Sequence, residues 1–223
     1  MRRRLANNAV SSVSSVSSVP PVATAHHAGV STVLGVGNPV MGDDAVGLCV
    51  LRRLQARAGG LPPTNDTTGW VDHASTRLVP HSPTPPQLPT SYTPANGPAV
   101  DFIDGGTSGM ELLDVILTAQ KLLVLDALTG PGAPGDIVVL HGDQIPRLLR
   151  SKLSPHQVGL LDLLAAARML GSEPAQVAVV GVVAHSATLT VGMTPAVQAA
   201  VEPAEAAAWE VLAQWGTTTP PRV

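Results

Sequence analysis

The sequence holds one cysteine in 223 residues, so Cys49 has no partner for a disulfide within it. It lies in a helix-like segment and reads as a small buried hydrophobe, and nothing calls for an oxidising compartment. Aromatic residues make up 2% of the chain: Phe102, Tyr92 and three tryptophans. The 44% apolar fraction is therefore carried by Val, Leu and Ala, a composition that suits buried parallel strands covered by helices. Charged residues amount to only 13%, and the net charge of −3 leaves no basic footprint, which argues against a nucleic-acid binder. No apolar run reaches the ~20 residues of a membrane span, so no span and a cytoplasmic location are expected. G-x-S-x-G, H-E-x-x-H and a convincing Cys–His pair are also missing, and covalent nucleophilic catalysis has little to stand on.

What is present is unevenly distributed. Residues 1–30 start with Arg2, Arg3 and Arg4 and continue through Ser-Ser-Val repeats. Ala23-Thr24-Ala25 resembles a small-residue cleavage site, but serine pairs interrupt the apolar region that a targeting segment needs. A disordered extension, or an upstream-assigned start codon, is the better reading. Residues 31–217 read as one α/β domain, interrupted at 59–98, where nine prolines stand among Ser, Thr, Asn and Gly with no sustained period. Such a stretch buries too little apolar surface to offset its ordering entropy and is expected to be a disordered insertion carrying Trp70, His73 and His81. Residues 218–223 form a short tail.

Within the domain, Thr32–Gly37 is a β-type run ending in glycines, and Val46, Val50 and Leu54 mark an amphipathic helix over 44–58. Further strands are predicted at 100–103, 122–125, 137–141 and 177–183, and helices at 110–120, 154–170 and 194–215. Ser154-Pro155 supplies an N-cap and an N1 proline for the second of these helices. The alternation predicts a mostly parallel five-stranded sheet sandwiched between helices. Ligands in such sheets bind beyond the carboxyl ends of the strands.

Four segments fall where that rule points. Gly35-Val-Gly-Asn-Pro-Val-Met-Gly-Asp-Asp-Ala-Val-Gly47 joins a strand to a helix, but Val40 takes the third glycine position of a dinucleotide fingerprint. The loop offers Asp43 and Asp44 instead. Asp43 is the natural helix cap, while Asp44 suits a cap or a ligand equally. Asp104-Gly105-Gly106-Thr107 follows a strand, where Asp104 either positions substrate or closes an Asx-turn. Asp126 ends an apolar strand, and a carboxylate there is costly unless a metal, a histidine or backbone amides meet it. His156 falls in the first turn of a helix, whose dipole favours the neutral imidazole that ligates metals. Each residue has a structural explanation taken singly. Together Asp44, Asp126 and His156 form a plausible three-point site for a divalent transition metal with positions left open. His26 and His27 lie in the N-terminal extension and His141 and His185 end strands, and all four offer less.

The segments VLGVGNPVMGDDAVG, DFIDGGTSGMELLD, LLVLDAL, PGDIVVLHGDQIP, SPHQVGLLDLL and VAVVGV, in this order and spacing, resemble the hydrogenase maturation endopeptidases. The resemblance runs from about Val33 to Glu205, broken by the insertion. It implies a sheet-and-helix sandwich that cleaves one peptide bond near the C-terminus of a nickel–iron hydrogenase large-subunit precursor after nickel insertion. The family's metal-contacting acids fall on Asp44 and Asp126 and its histidine on His156. Its D-G-G motif, associated with substrate recognition and cleavage, falls on Asp104, Gly105 and Gly106, followed by Thr107. On this resemblance the nickel arrives with the substrate and no permanently bound metal is expected. Some relatives carry Glu in place of Asp44, and the insertion and serine-rich tail depart from the family pattern. A non-proteolytic nickel-binding or delivery protein and a nucleotide-binding α/β module are the competing readings.

Overall fold

The computed structural model describes residues 29–62, 87–130, 132–145 and 159–222. Six strands form one sheet: β1 (Val30–Val36), β2 (Ser91–Tyr92), β3 (Ala99–Gly106), β4 (Lys121–Leu128), β5 (Ile137–His141) and β6 (Gln176–Val183). Their order is β2-β3-β1-β4-β6-β5, with β3, β1, β4 and β6 mutually parallel and antiparallel strands at both edges. The helices are α1 (Val46–Ala58), α2 (Leu113–Thr118), α3 (Leu160–Met169) and α4 (Pro195–Gln214).

The sheet has six strands and not the expected five. The added β2 comes from the end of the proline-rich stretch. There Tyr92 pairs with Val100, and the Thr90 carbonyl accepts the Phe102 N–H at 2.8 Å. Proline density hid it, because a two-residue edge strand needs too few donors to leave a periodic signal. Residues 218–222 also dock: the Thr218 hydroxyl donates to the Asn96 carbonyl at 2.7 Å, and Arg57 Nε donates to the Pro220 carbonyl at 2.9 Å. Trp70, His73, His81, His26 and His27 lie outside the described residues.

Alternation along the strands divides the core in two. Val33, Phe102, Leu123, Leu125 and Val180 face α1 and α4, burying Val46, Val50, Leu54, Ala208 and Leu212. Leu34, Leu122, Val124 and Val179 face the other way, onto α2 and α3 through Ile116, Leu163 and Ala167. The expected period of Val46, Val50 and Leu54 is thus the face that α1 buries. Arg53 and Glu205 join α1 to α4 inside the first layer, with Nε 2.8 Å from Oε2 and both side chains almost fully buried. Trp209 packs beside them, edge-on to Tyr92 with centroids 5.9 Å apart. No helix among the described residues is long and apolar enough to cross a membrane.

This topology opens a crevice. The chain leaves β1 toward α1 on one face and leaves the neighbouring β3 toward α2 on the other, so the loops diverge at the strands' carboxyl ends. The start of α1 is pressed tightly against that edge. A Cβ at Gly47 would collide with the carbonyl oxygens of Val36 and Leu125, the last residues of β1 and of the buried run in β4. Glycine is the residue that allows the approach.

Candidate active site

Asp44, Asp104 and Asp126 issue from three adjacent strands. Gly35 of β1 aligns with Asp104 of β3 on one side and with Leu125 of β4 on the other, and Asp126 is the next residue of β4. Asp44 lies one helical turn before Gly47, which abuts the Leu125 carbonyl. The first loop and the glycine pair are also joined directly, by the Gly37 N–H to the Gly106 carbonyl at 2.9 Å.

Asp44 is half-buried, and its Oδ2 accepts the Asn38 N–H at 2.8 Å. Burial pushes its carboxyl above the ordinary value of 3.8, and this single backbone bond only partly offsets the effect. Asp104 is exposed, and its Oδ1 accepts the Gly106 N–H at 3.0 Å, the Asx-turn the sequence suggested. The turn holds Gly106 at φ +48°, a left-handed conformation, while a Cβ at Gly105 would come within 2.8 Å of Leu34 Cδ1. Thr107 is exposed at the tip. Asp126 is half-buried, and its Oδ1 accepts the Ala127 N–H at 2.8 Å. The alternation that sends Leu122 and Val124 to the α2/α3 layer directs Asp126 to the same side.

His156 lies outside the described residues, with Ser154, Pro155 and Gln157. Ile145 and Gly159 flank that segment, and both Ile145 and α3 pack on the face that Asp126 shares. Helix α3 begins at Leu160: Gly159 before it is extended at φ −89° and ψ 164°, and Asp162 accepts its N–H at 2.9 Å, so the helix predicted over 154–170 does not run unbroken through Gly159. Among the described residues, no group of three His, Cys, Asp or Glu side chains is arranged to hold a metal ion. A three-point site needs His156.

Asp43 is also not the helix cap that its position suggested. It is fully buried and turns away from α1 to bind the far end of the chain. Its carboxylate accepts the backbone N–H groups of His185, Ser186 and Thr194, and the Thr194 hydroxyl. Burial raises its carboxyl, but the bonds from Thr194, His185 and Ser186 outweigh that and hold it below 3.8. His185 thereby lies beside the first loop after β6, in acidic company that the sequence did not reveal. The only hint was Thr194-Pro195, a helix start placed after the last strand. His141, in contrast, aligns with Ala178 near the start of β6, at the opposite edge.

The loops that follow β1, β3, β4 and β6 contain no lysine or arginine among the described residues. Among the described residues, the loops at this edge carry Asp44, Asp104 and Asp126 and no fixed cation, a balance that favours a positively charged ligand.

A family model described as hydrogenase maturation protease matches residues 87–211. The chain is 32% identical over 191 residues to the hydrogenase 2 maturation protease of Escherichia coli (strain K12), covering 85% of this chain and 94% of that one. It is 37% identical over 125 residues to the hydrogenase expression/formation protein HupM of Azotobacter chroococcum mcd 1, covering 55% and 60%. Among solved structures, the hydrogenase maturating endopeptidase HybD from E. coli superposes with a TM-score of 0.64 at 30% identity, covering 86% of this chain and 97% of that one. Sequence motifs, sheet topology and relatives thus agree: the chain belongs to the hydrogenase maturation protease family and is a peptide hydrolase.

Proposed function

We propose that this protein removes the C-terminal extension of a nickel–iron hydrogenase large-subunit precursor that already carries its nickel. The substrate's nickel meets Asp44, Asp126 and His156, which align the scissile bond, and the free enzyme keeps no metal of its own. The observation that carries this reading is the delivery of three carboxylates by three adjacent strands to an edge whose loops, among the described residues, hold no basic side chain. Two of them, Asp44 and Asp126, offer oxygen donors to a divalent cation, and His156 adds the nitrogen of a mixed N/O set.

Asp104, Gly105, Gly106 and Thr107 receive the peptide on the other side of β1. Gly105 leaves no room for a side chain, and Gly106 holds a left-handed backbone, so a substrate strand can approach the main chain closely. The reaction is hydrolysis: water adds to the scissile carbonyl carbon, the C–N bond breaks, and the new amine takes a proton. The chain is placed in the cytoplasm by the same reading.

The test is incubation of the purified protein with nickel-loaded and nickel-free precursor, followed by mass spectrometry of the large subunit. Loss of the extension from the loaded form alone is expected. Equal processing of both would overturn the recognition of nickel. Failure to process either, with tight stoichiometric nickel binding by the isolated protein, would favour a delivery role.

A further inference from the structure

Asp43, next to Asp44, is buried and meets no substrate group. We infer that Asp43 is a positioning residue: it fastens the first loop to the loop ahead of α4, and so sets where the Asp44 carboxylate stands. This rests on the reading of Asp44 as a group that meets the substrate.

Asp43 is 0% exposed and has no route to a ligand. Its Oδ2 accepts His185 N–H at 2.9 Å, Ser186 N–H at 3.1 Å and the Thr194 hydroxyl at 3.0 Å, while Oδ1 accepts Thr194 N–H at 2.6 Å. Its own N–H donates to the Ser186 carbonyl at 3.1 Å. The same two loops meet again where Gly42 N–H donates to the Thr190 carbonyl at 3.0 Å and Thr190 N–H donates to the Val40 carbonyl at 3.1 Å. The main chain from Val40 to Asp43 is thereby fixed to residues 186–190.

Asp44 gains its position from this attachment. Its side chain has one protein donor among the described residues, Asn38 N–H, and that donor is itself in the loop. Its main-chain carbonyl sits where a Cβ at Gly37 would be, so the loop has closed onto itself around Asp44. Four donors converge on the Asp43 carboxylate, and only a carboxylate has the lone pairs to receive them. An asparagine would turn its NH2 group toward N–H donors that cannot move, and the loop would have to shift. A displacement of about 1 Å at a reacting group costs up to roughly 100-fold in rate.

The experiment measures kcat and KM on nickel-loaded precursor for Asp43→Asn, Asp44→Asn, their double variant, Thr194→Val and Thr194→Ser, with amide hydrogen exchange at Asn38. We expect Asp43→Asn to lower kcat by about 10- to 100-fold. The Asn38 amide should lose protection while Val33 and Leu123 in the sheet keep theirs. The double variant should be no slower than the slower single one, because both changes act through one carboxylate. Thr194→Val, which deletes one donor, should show a smaller loss that Thr194→Ser restores. If Asp43→Asn does not fold, the two Thr194 variants decide. Wild-type kcat in folded Asp43→Asn or in Thr194→Val would overturn the inference, as would losses that multiply in the double variant. Asp44→Asn is the reference: if it is fully active, the reading of Asp44 fails too, and if it alone is inactive, only the positioning role fails.

Discussion

Asp43 and Asp44 are consecutive, yet their carboxyl groups end up on opposite sides of the ordinary aspartate value. Burial raises both. At Asp43 the donors of Thr194, His185 and Ser186 prevail, whereas at Asp44 the one Asn38 N–H does not. For Asp43, held low in the fold, ionisation stabilises the protein fully above the unfolded value, and this is lost as pH falls through the lower folded value. For Asp44, held high, ionisation opposes folding, and that cost disappears as pH falls through the raised value.

The Asp43→Asn variant should be about 1–3 kcal/mol less stable than wild type at pH 7, the cost of leaving buried donors without an acceptor. Urea unfolding at a series of pH values checks it. The gap should narrow below pH 3.8, where wild-type Asp43 begins to lose its charge-dependent share. A gap that stays constant down to pH 2 would contradict the assignment of that stability to the carboxylate.

Asp44→Asn should separate stability from activity. Removing a half-buried charge that the fold disfavours should raise Tm slightly, while processing of the loaded precursor falls on the order of 100-fold or more. Because the wild-type carboxyl is raised, activity should start to decline on acidification at a higher pH than an ordinary aspartate would give. Scanning calorimetry and a pH–rate profile measure the two effects. A lower Tm for the variant would contradict the cost assigned to burial.

Gly47→Ala sets helix propensity against packing. Alanine gains about 1 kcal/mol over glycine in a helix interior. The new methyl meets the carbonyls of Val36 and Leu125, which are fixed in the sheet. Overpacking of this kind costs about 1–3 kcal/mol, occasionally more, and here it falls on main chain that cannot turn aside. The expected result is a net loss of up to about 2 kcal/mol in denaturant unfolding, with slower processing because α1 carries the first loop with it.

Arg53→Ala should cost about 3–5 kcal/mol, since it strands Glu205 with only the longer 3.6 Å contact to Arg57. Replacing both residues, as Arg53→Met with Glu205→Leu, should recover most of the loss, because apolar groups of similar volume can fill a buried ion pair's place. Thermal unfolding of the single and double variants distinguishes the two outcomes.

Strands and helices were legible where one rule governed them. The period of Val46, Val50 and Leu54 and the apolar run at 122–125 reflect burial against a continuous layer, and burial is written in residue type. The three candidate aspartates, Asp44, Asp104 and Asp126, stand out for the converse reason, as charges placed where the pattern asks for apolar or turn residues. Relations across the chain were not. Asp43 reads as a cap because adjacent amides are the nearest donors in sequence, and nothing local shows that Thr194, 151 residues on, supplies better ones. The break at Gly159 inside the predicted 154–170 helix is not legible, because glycine suits extended and helical backbone alike. Strand β2 was missed because two residues are shorter than any period.

The proline-rich excursion returns to where it departs. Gln55 Nε2 donates to the Pro89 carbonyl at 3.0 Å, and the Pro89 ring lies 3.2 Å from where a Cβ on Gly59 would stand. A segment whose two anchors already touch transmits almost none of its length to the sheet, and closing a longer one costs only about 0.6 kcal/mol per doubling. With both ends held at one place, an exchange of residues 63–86 for an affinity tag is expected to leave the strand pairing of β1, β3 and β4 unchanged.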